Sequence, residues 1–189
     1  MLQKGWGMPP TAYLFGLVLA VTAVAAVYDW RTGHIPNWLT LGAVAAGVVF
    51  HAGYGLVTGG AQAALSAAGF SVVGAVVCAA VPLLLYRFGA IGGGDVKLLA
   101  AMGALLRPML GIEAELYAFI AIAIVAPGKL AYDGKLGAVL GNTLAIAKNP
   151  FLPKERRREV PAEVLTPVIF GPATFVGACG VALMHWSSL

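Results

Sequence analysis

Two aspartates stand beside long apolar runs in a chain that is 60% hydrophobic and 11% charged. Asp29 lies in Tyr28-Asp29-Trp30-Arg31, where the first run stops, and Asp95 closes Gly92-Gly93-Gly94-Asp95, between the third and fourth runs. A carboxylate near a bilayer core is expensive to keep, so each is a candidate functional residue. Brought together, two carboxylates cannot both ionise cheaply. One shared proton then lets one act as a base and the other as an acid, the minimum equipment of an aspartic protease.

Each acid also has a plainer reading. Asp29 could pair with Arg31 in a turn beside the membrane. Asp95, ahead of Val96-Lys97-Leu98-Leu99, could serve as the N-cap of a helix. The three glycines before it argue for more, because glycine lets another backbone come close, as an extended peptide in a protease must. Lys97 is read either as a cation tuning the acid pair or as a snorkelling lysine. His34 is read as facing water, and His51 and His185 as lining helix contacts. Glu113 and Glu115 fall on the opposite side from the aspartates. Cys78 and Cys179 sit singly inside apolar runs and read as small buried residues, so no structural zinc site and no metal or other cofactor is expected.

The elements that must position these residues are helices in lipid. Soluble domains carry about 25% charged residues, more than twice the share here, and mean hydropathy is +0.87. Apolar runs cover residues 11–28, 38–57, 61–88, 95–110, 113–131 and 165–186. Each approaches the ~20 residues needed to cross a bilayer. The expected fold is all-α, a polytopic membrane protein of about six transmembrane helices forming a single domain over 1–189. The third run is long and Pro82 could kink it, while Arg107-Pro108 weakens the end of the fourth. Lys4, the first apolar run and Ala23-Val24-Ala25-Ala26 have the look of a signal peptide, but cleavage there would free Asp29 from its helix, and an uncleaved span is expected. Between the last two runs, residues 132–164 form a polar loop, with a short interfacial helix expected over 136–147 and a charged segment over 149–161. Small residues at Gly42 and Gly47, Ala64 and Ala68, Gly69 and Gly74, and Gly177 and Gly180 would let helices approach closely.

Of the twelve Lys and Arg residues, ten fall on one side of this layout and two, Lys4 and Arg107, on the other. The cation-rich side is cytoplasmic by the positive-inside rule, with both termini outside. This count uses no knowledge of the aspartates, yet it brings both to the cytoplasmic face. Lys154, Arg156, Arg157 and Arg158 cluster in the polar loop. They read as an orientation signal in contact with anionic lipid, with no nucleic-acid partner expected.

Asp29-Trp30-Arg31-Thr32-Gly33-His34-Ile35-Pro36-Asn37 resembles the D-x-R-x-x-x-I-P-N motif of type IV prepilin peptidases, and Gly92-Gly93-Gly94-Asp95-Val96-Lys97-Leu98 resembles their G-x-G-D-x-K-L motif. Phe170-Gly171-Pro172-Ala173 is similar to the glycine-proline stretch of their final span. The resemblance implies a membrane aspartic endopeptidase with Asp29 and Asp95 as its catalytic pair. Arg31, Pro36, Asn37, Gly92, Gly94 and Lys97 would bind substrate or support the site. Such enzymes remove the leader peptide of prepilins at the cytoplasmic membrane face and can work beside pilus assembly machinery. The methyltransferase segment with paired C-x-x-C motifs is missing, which points to the short, CpaA/TadV-like members that serve Flp-type pili, with archaeal preflagellin peptidases nearby. Presenilin-type proteases share the Tyr-Asp and Gly-x-Gly-Asp pairs but carry a Pro-Ala-Leu motif that is not found here. The alternatives from other classes are a proton- or cation-coupled transporter using the same two acids and a structural subunit of a secretion complex, which would need neither acid.

Overall fold

The computed structural model describes residues 10–132 and 169–185, with positions 134, 137, 139 and 141 between them. The interfacial helix expected over 136–147, the charged segment over 149–161, Lys4 and the cation cluster Lys154–Arg158 lie outside the described residues or rest on too few of them. Every described element is a helix: α1 (Pro10–Thr32), α2 (Asn37–Arg87), α3 (Gly93–Tyr132) and α4 (Gly171–Met184). No strand occurs among the described residues. The first three are long and apolar enough to cross a membrane, and α4 is a shorter apolar helix. Large side chains cover the outside, with Val49, Val57 and Leu65 all at least 70% exposed. A surface of that kind is unaffordable in water and natural in lipid, so the protein is a membrane protein.

Two compact units are present, one of residues 1–121 and 169–189 and the other of 122–168. The first holds α1, α2, most of α3, α4 and all the contacts described below. In the second, the last turns of α3 carry exposed Ile124, Val125 and Tyr132.

A continuous α2 would be about 76 Å long at 1.5 Å per residue, more than twice the thickness of a bilayer core. It is not continuous. Gly60 takes φ 76° and ψ −166°, a conformation open only to glycine, and the chain reverses. A Cβ on Gly55 would lie 2.6 Å from the Ala63 carbonyl oxygen, whereas residues eight apart in a straight helix are about 12 Å apart. In α3 the break is at Arg107, with φ 64° and ψ 173°. The following Pro108 disfavours the helical conformation at Arg107. Gly111 then comes back against Gly103, its Cβ position 2.9 Å from the Gly103 Cα. The break at Gly60 falls between the second and third apolar runs, whereas the break at Arg107 falls inside the fourth run, at the Arg107-Pro108 pair that weakens its end and ahead of the gap expected at 111–112. Pro82, by contrast, is buried inside α2, where Gly60 is the sole non-helical position, so it does not break the helix.

The break in α3 leaves backbone groups that lipid cannot satisfy. Pro108 has no N–H, so the Ala104 carbonyl loses its intrahelical donor. The Ser71 hydroxyl donates to it at 2.7 Å, and His51 Nε2 donates to the next carbonyl, Leu105, at 2.9 Å. Both side chains are buried. They come from the two limbs of α2, which therefore grip the end of the first limb of α3. His51 lines a helix contact, as its position inside a run led one to expect.

Close approach between limbs depends on particular glycines. Gly74 and Gly103 face each other so tightly that a Cβ on either would overlap the other's carbonyl, and Gly47 lies against Ala104. Gly177 meets the backbone of Ala114 and Ala118, and Gly180 meets the Tyr117 ring. Gly42 and Gly69 face open space. Gly103→Ala is therefore expected to destabilise the protein by about 1–3 kcal/mol through overpacking, while Gly42→Ala should leave stability unchanged or raise it by up to about 1 kcal/mol through helix propensity. Thermal unfolding of the two variants in one detergent measures the contrast, and equal effects would contradict this packing.

Candidate functional site

The site is assembled at the ends of three helices. Asp29 lies in the last turns of α1, Asp95 in the first turn of α3, and Gly171 begins α4. Both aspartates are 7% exposed.

Asp29 does not pair with Arg31, which is exposed. Its Oδ2 accepts a hydrogen bond of 2.7 Å from the Gly171 backbone N–H. That N–H is one of the donors a helix start leaves without an internal partner. The carboxylate thus caps α4 from 142 residues upstream, at the positive end of the helix dipole. The contact requires glycine: a Cβ on Gly171 would lie 2.7 Å from the Asp29 Cβ and 3.2 Å from the Ala26 Cα. Pro172 follows in the first turn of α4, where its missing N–H costs nothing. Phe170, 2% exposed, fixes the helix start by packing on Phe119 with ring centroids 5.4 Å apart.

Asp95 caps its own helix from inside. It occupies the third position of α3 rather than the N-cap, and its Oδ2 reaches back to the Gly92 N–H at 3.0 Å, as the acidic member of a capping box does. Its other oxygen, Oδ1, is buried and has no hydrogen-bond partner. Each aspartate therefore uses one oxygen on a backbone donor at a helix N-terminus. The two acids are close enough for the charge of Asp29 to act on Asp95.

The two sequence motifs that carry the aspartates are locked together at two further points. Ile35, 2% exposed, packs on Gly94, where a Cβ would lie 3.2 Å from the Ile35 Cβ. The room that Gly94 provides is taken by Ile35. Lys97 Nζ donates a 2.8 Å hydrogen bond to Asn37 Oδ1, so its cation is held by an amide and not by either carboxylate. Pro36, half-buried, stands ahead of α2 with φ −64° and ψ 136°, and its carbonyl accepts from the Leu39 N–H at 3.2 Å. Gly92 is exposed and serves as the donor to Asp95. His34 is exposed, and its backbone N–H bonds the Thr32 hydroxyl. The roles of Ile35 and Phe170 as spacers were not foreseen. Their neighbours in the motifs were, but a packing partner announces itself only by being apolar, as most of this chain is.

Aromatic residues gather at this end. Trp30, Trp38 and Phe88 are 71%, 64% and 84% exposed, and Tyr28 meets Trp38 edge-on at 6.3 Å. Amphipathic rings favour the membrane–water boundary. Glu113 is elsewhere: it accepts from Tyr117 at 3.0 Å and pairs with His185 at 2.9 Å, and His185 closes the far end of α4, about 21 Å from Gly171. Among the described residues no group of His, Cys, Asp or Glu could hold a metal ion. Cys78 and Cys179 are free thiols, the first of them buried.

No curated protein and no solved structure matches the chain significantly. A family model does: that of the type IV leader peptidase family, over residues 16–127. The matched segment contains both aspartates, the loop between Asp29 and α2, and the glycines ahead of Asp95. A match over more than half of the 189 residues, on the segment whose two motifs meet in space, means that the chain belongs to the type IV leader peptidase family.

Proposed function

We propose that this protein is an aspartic endopeptidase of the inner membrane that removes the leader peptide of type IV, Flp-type prepilins at the cytoplasmic membrane face. The observation that carries the reading is the paired capping of two helix N-termini by Asp29 and Asp95, with a buried Asp95 oxygen left without a partner. A carboxylate needed only for structure would have both oxygens satisfied or solvated.

In this reading the pair holds one proton. The ionised member takes a proton from water as the water oxygen attacks the scissile carbonyl. The protonated member donates to the carbonyl oxygen, and the leaving amine is protonated as the C–N bond breaks. The two acids titrate as a unit, so the roles belong to the pair. The Ile35–Gly94 and Asn37–Lys97 contacts hold the two carboxylates in register, which matters because about 1 Å of misplacement can cost about a hundredfold in rate. Arg31, exposed beside Asp29, is the cation available to the peptide backbone or C-terminal groups of a substrate. The substrate is a prepilin, the surroundings are lipid, and pilus assembly machinery is the expected wider partner. Nothing in the site favours a coupled transporter, whose acids would be placed near mid-membrane.

The topology proposed is six crossings, with each reversal at Gly60 and Arg107 dividing one long helix into two limbs, both termini outside and the aspartates facing the cytoplasm. The excess of cations on the aspartate side and the exposed aromatic residues beside them support it.

Three outcomes are expected. Asp29→Asn and Asp95→Asn should each abolish leader cleavage by the purified protein while membrane insertion is retained; substantial cleavage by either variant would end the dyad mechanism. Gly171→Ala, which adds a single methyl against Asp29, should lower kcat for prepilin cleavage by about tenfold or more with little change in the amount of folded protein. Wild-type turnover in that variant would show that α4 does not position Asp29. Finally, in a background without Cys78 and Cys179, a cysteine at Thr32 should react with a thiol reagent only from the cytoplasmic side. Reaction from outside would reverse the proposed orientation.

A further inference from the structure

The end of the bundle away from the aspartates holds a second polar feature that the peptidase reading does not use. The first limbs of α2 and α3 start at one level, joined by Asn37–Lys97 and Ile35–Gly94, and run side by side, with Gly47 against Ala104. They end at different levels. The α2 limb runs to Gly60, about 34 Å, and the α3 limb breaks at Arg107 after about 21 Å. The α3 hairpin therefore turns about 13 Å short of the α2 hairpin and leaves a depression in the far face. At its floor is a cavity of about 240 Å³ lined by Leu14, Phe15, His51, Tyr54, Arg107 and Leu110, among others.

Arg107 is the cation of this cavity, and among the described residues no carboxylate pairs with it. Among the described residues the one ion pair is His185–Glu113. The Arg107 guanidinium lies over the Phe70 ring at 6.0 Å, and its Nε is buried without a hydrogen-bond partner. A guanidinium offers five donors in a fixed fork suited to phosphate and carboxylate oxygens. Leaving one of them dry and unpaired in a membrane protein is costly. The remaining walls, Leu14, Phe15 and Leu110, are hydrocarbon. The cavity is also smaller than the ~300–1,000 Å³ of pockets that enclose a drug-sized ligand, so an occupant must leave most of its bulk outside, in lipid.

We propose that this depression is a binding site for one anionic phospholipid of the leaflet opposite the aspartates, with its phosphate on Arg107 and part of a chain against Leu14, Phe15 and Leu110. The site rests on the six-crossing topology and is independent of whether the protein cleaves a leader. The headgroup would sit below the level of its neighbours, drawn down by the short α3 hairpin, with His51, Tyr54 and Arg107 as its polar walls.

The test is native mass spectrometry of the full-length protein in detergent with phosphatidylglycerol, phosphatidylcholine or inorganic phosphate added. Wild type and Asp95→Asn should both retain one phosphatidylglycerol, in preference to phosphatidylcholine. Asp95→Asn separates this site from the peptidase reading, since it removes cleavage and leaves the depression intact. Arg107→Gln should weaken retention by about tenfold or more, and Arg107→Lys should restore part of it. Leu110→Trp, which fills the cavity and keeps the cation, should also lose the lipid, and covers the case in which Arg107→Gln fails to fold. Equal retention of the two lipids, full retention by both Arg107→Gln and Leu110→Trp, or displacement of the lipid by millimolar inorganic phosphate alone would each overturn the proposal. The last result would identify a simple anion site.

Discussion

Everything at the aspartate end depends on one constraint: a carboxylate buried at the end of an apolar bundle needs donors, and helix starts are where donors are spare. Asp29 takes the Gly171 N–H and Asp95 takes the Gly92 N–H. Each bond serves both partners, since the helix start loses an orphan donor and the acid gains a fixed orientation. The positive ends of α3 and α4 are thereby turned toward the two acids. The glycines follow from this geometry. Gly171 must admit the Asp29 side chain, and Gly94 must admit Ile35.

The same principle governs the other break in the bundle. Pro108 ends the first limb of α3 and removes a donor, and Ser71 and His51 replace what the backbone lost. Ser71 and His51, buried among apolar helices, thus account for themselves as caps on carbonyls. The aspartate end and the α3 hairpin are mirror cases, acids on N–H groups in one and hydroxyl and imidazole donors on C=O groups in the other.

The chemistry was more legible in the sequence than its supports. Asp29 and Asp95 are conspicuous because charge is rare in this chain, and the alternation of apolar runs with short polar breaks marked the reversal at Gly60, while the reversal at Arg107 lies inside a run and was signalled only by the Arg107-Pro108 pair. Two things stayed out of reach. The role of a residue inside its motif was ambiguous: Asp95 reads as an N-cap from its neighbours, and lies at the third helical position only because the helix begins at Gly93. The partners of each site residue were also invisible. Lys97 binds Asn37 and Gly171 binds Asp29 across separations of 60 and 142 residues, and nothing local encodes which of many small or polar residues will meet. Pro82 shows how little a proline alone decides. It is buried within α2, and the helix continues through it without a non-helical residue there.

The bond between Asp29 and Gly171 also orders events in time. One partner sits in α1 and the other in α4, 142 residues later. Until α4 is made and inserted, Asp29 lacks its donor and its packing surface. A partly synthesised chain already contains both acids and nearly all of the family-matched segment, yet holds one of them unanchored. A chain that stops short of α4 therefore carries both aspartates without the contact that fixes one of them, and the pair is complete only once α4 has packed.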